Sequence, residues 1–148
     1  MSEIYISSWG IDCRDEFLPH LVDSLKRAGI VPFIDTDSEK GFTTRPQLLT
    51  AIEESRSSIV VMSEIFATSK WCLVELEVIL EKKRTSGHPV MPIFYRVDPS
   101  HVKKQKKKFA RALAKHEKEG QDQLNRWKHA LAEFGNLVGW VFPGPNYG

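Results

Sequence analysis

A chain of 148 residues, 41% apolar and 27% charged, has the size and balance of one globular domain with a single core. It contains no run of about 18 apolar residues, which excludes a membrane-spanning helix, and "MSEIYISS" lacks the basic start and long apolar stretch of a secretory leader. The net charge of +2 hides an asymmetry: residues 98–118 hold eight Lys or Arg against two acids, so the rest of the chain is acidic. Two distant cysteines, Cys13 and Cys72, suggest neither a disulfide framework nor a zinc site. A reducing compartment is expected, the cytosol first and the nucleus second.

Strand and helix patterns then alternate. "IYISS" (4–8) is β-prone; Phe17, Leu18, Leu21, Val22 and Leu25 recur at helical spacing, and Gly29 supplies a stop. "IVPFI" (30–34) is a second strand whose Pro32, lacking an N–H, assigns it to an edge. A polar loop (35–44) leads to a helix marked by Leu48, Leu49 and Ile52. "SIVVMS" (58–63) is continuous and β-branched, as in a strand covered on both faces. "SKWCLVELEVIL" (69–80) is a third helix and "PVMPIFYRV" (89–97) a fourth strand. A basic helical segment follows. Next, Leu124, Trp127, Leu131, Phe134 and Val138 outline a long amphipathic helix, and "GWVF" (139–142) is a fifth strand. Repeated β–α units of this length predict an α/β fold with an open, doubly wound parallel sheet. Strand order is not readable from the pattern alone; the expectation adopted is a flavodoxin-like five-stranded sheet in the order 2-1-3-4-5, with helices on both faces and the Pro32 strand at the edge. Ligands of such sheets bind at the carboxyl ends of the strands.

Several chemistries are absent. No G-x-G-x-x-G follows the first strand and no G-K-[ST] occurs, which excludes a dinucleotide fingerprint and a Walker-type loop. Where a receiver domain needs an aspartate, the third strand ends in Ser63, and "SWGID" does not provide a flavin-phosphate loop. The five histidines (20, 88, 101, 116, 129) have no metal-ligand spacing, and Ser63, Ser69 and Ser86 lack a nucleophile elbow. Glu75 stands out. Its helical neighbours are Trp71, Cys72, Val78 and Ile79, with no Lys or Arg three or four positions away. One reading is a carboxylate gaining about 0.3–1 kcal/mol from the helix dipole. The sharper reading is that Trp71 walls an apolar slot and partly desolvates Glu75 beside a ligand.

Taken together, "FLPHL", "GIVPFID", "LLTAIEESRSSIVVMS", "SKWCLVEL", "MPIFYRVDPSHVKKQ" and "RWKHALAEFGNLVGW" resemble the TIR (Toll/interleukin-1 receptor) domain of intracellular plant immune receptors, collinearly from about Ile4 to Phe142. The resemblance implies one domain over 1–148, with its core at 4–142 and the family's final helix missing after "PGPNYG". It also implies a self-associating enzyme of plant defence and cell death that hydrolyses the nicotinamide–ribose bond of NAD, or of NADP, with no cofactor or metal. Glu75 falls on the catalytic glutamate of the family's W-C-L-x-E-L motif. Ser8, Trp9, Gly10, Glu39, Lys40, Gly41 and Trp71 fall on substrate-facing positions, and Gly41 is also the hinge of the mobile loop between second strand and second helix. Pro19, His20 and Gly41 fall on self-association surfaces, and the partners implied are other TIR domains.

Three departures bear on these expectations. The family's S-F-R-G reads "SSWG" (7–10), so Trp9 replaces an arginine whose charge-assisted bonds are worth about 1.5–3 kcal/mol. Trp9 could instead stack on a base. Pro19 precedes the retained His20, so the first helix is expected to start near Asp15 or Glu16 or to kink. The basic run places Lys103, Lys107, Arg111 and Lys115 as an outer helical stripe opposite Phe109, Leu113 and His116. Two rival functions follow: a catalytically weak or inactive docking module that heterodimerises with an active TIR receptor, and an adaptor touching nucleic acid weakly through Lys103, Lys104, Lys106, Lys107 and Lys108. No aromatic residues interleave that run to stack on bases.

Overall fold

The computed structural model describes residues 3–10, 13–34 and 44–143. Five strands, β1 (Ile4–Ser8), β2 (Pro32–Ile34), β3 (Ser57–Met62), β4 (Val90–Tyr95) and β5 (Trp140–Phe142), form one parallel sheet in the order β2-β1-β3-β4-β5. This is the expected topology, with Pro32 on the edge strand opposite Ile4. β2 starts two residues later than its apolar run because Ile30 is engaged elsewhere. Its N–H donates to the Leu25 carbonyl (2.9 Å) and that of Gly29 to Lys26 (3.0 Å), with Gly29 at φ +79°. This pair of bonds closes the preceding helix in a Schellman motif.

That helix is α1 (Leu18–Arg27), entered through a single π-helical turn at Cys13–Phe17. The helical path thus begins ahead of Asp15, but the α-helix itself begins at Leu18. Pro19 falls in its first turn, where a missing N–H costs nothing, and no kink is needed. α2 (Arg45–Glu53) opens with a capping box: Gln47 N–H donates to Thr44 Oγ1 (3.3 Å) and Thr44 N–H to Gln47 Oε1 (3.2 Å). α3 (Lys70–Ser86) is followed by α4 (Pro99–Lys103), α5 (Lys108–Ala114) and α6 (Gln121–Gly135).

Two apolar layers sandwich the sheet. On one face α1 covers Ile6, Ile59, Val61, Ile93 and Tyr95 with Leu18, Leu21, Val22 and Leu25. On the other, Tyr5, Val60, Met62 and Phe94 meet the larger cluster built by α2, α3, α5 and α6. Alternation along β1 therefore sends Tyr5 and Ser7 toward α3, and Ile6 toward α1.

Three expectations need correction. The basic segment is not one helix. α4 ends at Lys103, Gln105 and Lys107 take positive φ of 48° and 55°, and α5 restarts at Lys108. α4 runs so close to α6 that a Cβ on Gly135 would lie 2.6 Å from the Lys103 nitrogen. Lys103 therefore leaves the stripe, and only Lys107, Arg111 and Lys115 keep the α5 spacing. Val138 lies beyond the end of α6 and is 97% exposed, so the apolar periodicity overran the helix. Leu49 is also exposed, whereas Leu48 and Ile52 are buried.

Candidate functional site

α3 begins where Ser69 takes extended backbone and its Oγ accepts from the Cys72 N–H (3.2 Å), a side-chain cap worth about 0.5–2 kcal/mol. Gly87, at φ +70°, ends the helix. Between these caps one face, including Cys72, Leu73, Leu76 and Ile79, is buried against the sheet, and Glu75 lies on it with 1% of its surface exposed. Its carboxylate is held by β1: the Tyr5 hydroxyl donates to Oε2 and the Ser7 hydroxyl to Oε1 (3.1 Å). Tyr5 is fixed in turn by stacking on Phe33 of β2, with ring centroids 5.4 Å apart and planes 12° apart.

This arrangement explains why an acid can occupy an apolar helix face. A buried carboxylate without donors is costly, and the two hydroxyls are delivered by the i, i+2 alternation of one strand. Trp71, one turn earlier, is half-buried and packs against the larger cluster. The partners Tyr5 and Ser7 were not anticipated from sequence. Their signal was present, since polar atoms at i and i+2 of a central strand share one face, but their match to Glu75 needed the pairing of α3 with β1.

Of the other residues that the resemblance assigns to substrate, Ser8 ends β1 and Trp9 and Gly10 follow it. Ser8 is buried, and its carbonyl accepts from Cys72 Sγ (3.8 Å). Ser63 Oγ donates to the Trp9 carbonyl (3.2 Å), tying the ends of β1 and β3 together. Gly10 sits at φ +114°, and a Cβ there would come 2.6 Å from Ile65 Cδ1. A cleft of about 270 Å³ opens between the carboxyl ends of β1, β3 and β4, lined by Trp9, Gly10, Ser63, Tyr95 and Arg96 among others. Strand order reverses at β1 and β3, with β2 added on one side of β1 and β3 to β5 on the other, so this crevice lies at the switch point of the sheet. Glu75 and Trp71 do not line it. Glu39, Lys40 and Gly41 lie outside the described residues. Pro19 and His20 are exposed on α1, and Lys103, Lys104, Lys106, Lys107 and Lys108 are all exposed.

Two titrating groups lie outside this arrangement. His88, buried at the opposite end of the sheet, hydrogen-bonds Ser58 Oγ through Nε2 (2.8 Å), and burial, then Lys82, hold its pKa below the usual 6.5. Asp98 caps α4 by accepting from the Ser100 N–H (2.8 Å). That bond is the largest cause of a pKa below the ordinary carboxylate value.

A model of the TIR domain family matches residues 3–143. Disease resistance protein RPV1 of Vitis rotundifolia is 48% identical over 138 residues, which cover 93% of this chain and 10% of that protein. TMV resistance protein N of Nicotiana glutinosa is 45% identical over 141 residues, again 93% of this chain and 12% of that protein. The chain therefore spans about a tenth of the length of these curated relatives. Among solved structures, the TIR domains of the activated Roq1 resistosome that directly recognises the pathogen effector XopQ match with a TM-score of 0.87. There the identity is 37%, over 100% of this chain and 92% of that one. The heterodimer of the RPS4 and RRS1 TIR domains matches at TM-score 0.51 and 18% identity, over 93% of this chain and 100% of that one, a likeness of fold.

Proposed function

Because this chain belongs to the TIR domain family of plant disease resistance proteins, we propose that it acts in plant immune signalling by hydrolysing NAD when it self-associates, with Glu75 as the catalytic residue. The observation that carries the reading is an acid kept on an apolar helix face and gripped at both oxygens by Tyr5 and Ser7. In the reaction the bond between the ribose anomeric carbon and the pyridinium nitrogen breaks, and its electron pair leaves with nicotinamide. Water adds to the anomeric carbon and loses a proton, giving ADP-ribose. The leaving group already carries positive charge, so no general acid is required. What the protein must supply is negative charge beside a ribose that becomes oxocarbenium-like, and a fixed carboxylate stabilises charge that appears only in the transition state.

A carboxylate 1% exposed is closed to a sugar in this conformation. The activity therefore belongs to an assembled form in which the ribose reaches Glu75, and the dilute monomer is silent. Similarity to TIR domains of an activated resistosome supports this dependence on assembly. In the same reading Ser8, Trp9, Gly10 and Trp71, with Glu39, Lys40 and Gly41, bind the nucleotide, and Pro19, His20 and Gly41 serve self-association. The site of action is cytosolic or nuclear; among the described residues no helix is long and apolar enough to cross a membrane. The test is NAD consumption by concentrated or artificially clustered protein beside Glu75→Gln. Turnover should fall by at least about a hundredfold, in the range for removing one group that stabilises transition-state charge. Turnover that survives the substitution removes Glu75 from the mechanism.

A second reading is favoured by the indole at position 9 and the enclosure of Glu75: a docking module that pairs with an active TIR partner. No turnover at any protein concentration, together with heterodimer formation, would select it.

A further inference from the structure

The break between α4 and α5 gathers cations that the sequence had spread along a helix. Arg96, His101, Lys106, Lys107, Lys108 and Arg111 line a cleft of about 280 Å³ together with Val97 and the buried Phe109. Two carboxylates share this cleft, and both are engaged. Glu64 pairs with Lys108 (2.8 Å), and Asp98 accepts from the Ser100 N–H (2.8 Å). Arg96 is aimed by three contacts. Its N–H donates to the Phe142 carbonyl (2.7 Å), its guanidinium lies 5.2 Å from the Tyr95 ring centroid, and it pairs with Glu16 (3.0 Å). Lys107 and His101 also act on Asp98 through charge, whereas Lys106 and Arg111 form no ion pair among the described residues.

Backbone geometry is an independent sign. Arg96 and Lys107 both line the cleft and hold φ of 54° and 55°, and Gln105 between them in sequence holds 48°. Non-glycine residues are uncommon in this region, and such strain clusters at ligand clamps. Here it turns like charges toward a common space instead of letting them diverge along a solvated helix. Cations outnumber the two carboxylates on this concave surface, and such an excess of one sign focuses the field on whatever enters.

We propose that this cleft, between the end of β4 and the start of α5, binds a small phosphorylated ligand through a phosphate monoester or diphosphate group. Arg96 supplies the planar fork that matches two phosphate oxygens, and Lys106, Lys107 and Arg111 supply the remaining charge. The volume is near the roughly 300 Å³ lower bound of small-ligand pockets, room for the anionic end of a nucleotide. Phe109 is 1% exposed and presents no ring for base stacking, and Lys103 has been drawn onto α6. Both points disfavour a track for a nucleic-acid strand. Glu75 does not line this site, which adjoins the Trp9 cleft and shares Glu64, Arg96 and Lys108 with it.

The experiment is amide NMR titration of the intact chain with pyrophosphate and with inorganic phosphate. A double variant, Lys106→Gln/Arg111→Gln, changes two exposed side chains, and its fold is checked by thermal melting. Saturable shifts confined to residues 96–111, weakened tenfold or more in the double variant and retained in Glu75→Gln, are the expected result. Shifts that never saturate by about ten millimolar, or that are equal in the double variant, overturn the site; Arg96→Gln, measured in parallel, must also weaken binding. A short DNA duplex supplies the remaining arm. If duplex binds with a steep salt dependence and pyrophosphate fails to displace it, the small-ligand assignment is overturned in favour of nucleic acid. Loss of NAD turnover in Glu75→Gln with pyrophosphate binding intact separates this site from the catalytic one.

Discussion

At the scale of single residues, Glu75 is the most informative side chain, since its two oxygens are occupied by hydroxyls of one strand. Tyr5→Phe deletes one donor while keeping the ring that stacks on Phe33. It should destabilise the fold by about 1.5–3 kcal/mol, the usual worth of a hydrogen bond to a charged group, measured by chemical denaturation. Gly10→Ala should cost about 1–3 kcal/mol, because the residue would need φ +114° and its Cβ would collide with Ile65. Glu75 itself could be singled out in the sequence because no cation stands within a helical turn of it. Tyr5 and Ser7 could not be attached to it, since nothing local says which strand α3 will cover.

Elements were legible where period and length agreed, and illegible where one pattern crossed a boundary. The parallel sheet followed from β–α alternation and the edge place of β2 from Pro32, which cannot donate inside a sheet, whereas nothing in the pattern orders β3, β4 and β5. The apolar series from Leu124 to Val138 ran past the end of α6, because periodicity carries no information about where backbone bonding stops. Val138→Ser should accordingly change stability by less than about 0.5 kcal/mol, whereas Leu131→Ala, at a fully buried position of the same series, should cost about 2–5 kcal/mol; urea midpoints distinguish the two. The split of the basic segment was hidden for a related reason, since positive φ at Gln105 and Lys107 has no signature in residues that are ordinary helix formers. His88, between α3 and β4, sets a pH dependence. Its folded pKa is lowered, so between that value and 6.5 the unfolded chain binds more protons and stability falls as pH falls. The stabilisation is complete above pH 6.5 and is lost below it. His88→Gln should flatten the melting temperature between pH 7 and 5 relative to the parent chain.

Over the whole molecule, charge is segregated. The excess of lysine lies around α4 and α5, and acids such as Glu53, Glu77 and Glu133 pair across α2, α3 and α6 with Lys82, Arg45, Arg126 and Arg84. Each of these pairs keeps one partner about half exposed to solvent and is worth little, so added salt should leave the melting temperature within a few degrees while weakening any anion bound at the lysine-rich end. Under the proposed function, in which a carboxylate 1% exposed is reached by the ribose on assembly, NAD consumption should rise more steeply than linearly with protein concentration. Strictly linear turnover down to nanomolar protein would contradict that.

β1 lies between β2 and β3 and contributes both hydroxyls that hold Glu75. No local fraying can release those hydroxyls one at a time, because each is carried by a strand bonded to neighbours on two sides. Amide protons of Tyr5, Ile6 and Ser7 should therefore exchange only when the entire chain opens. An inhibitor of this acid would therefore need the assembled form that the proposed function requires, whereas the lysine-rich end is already exposed in this conformation.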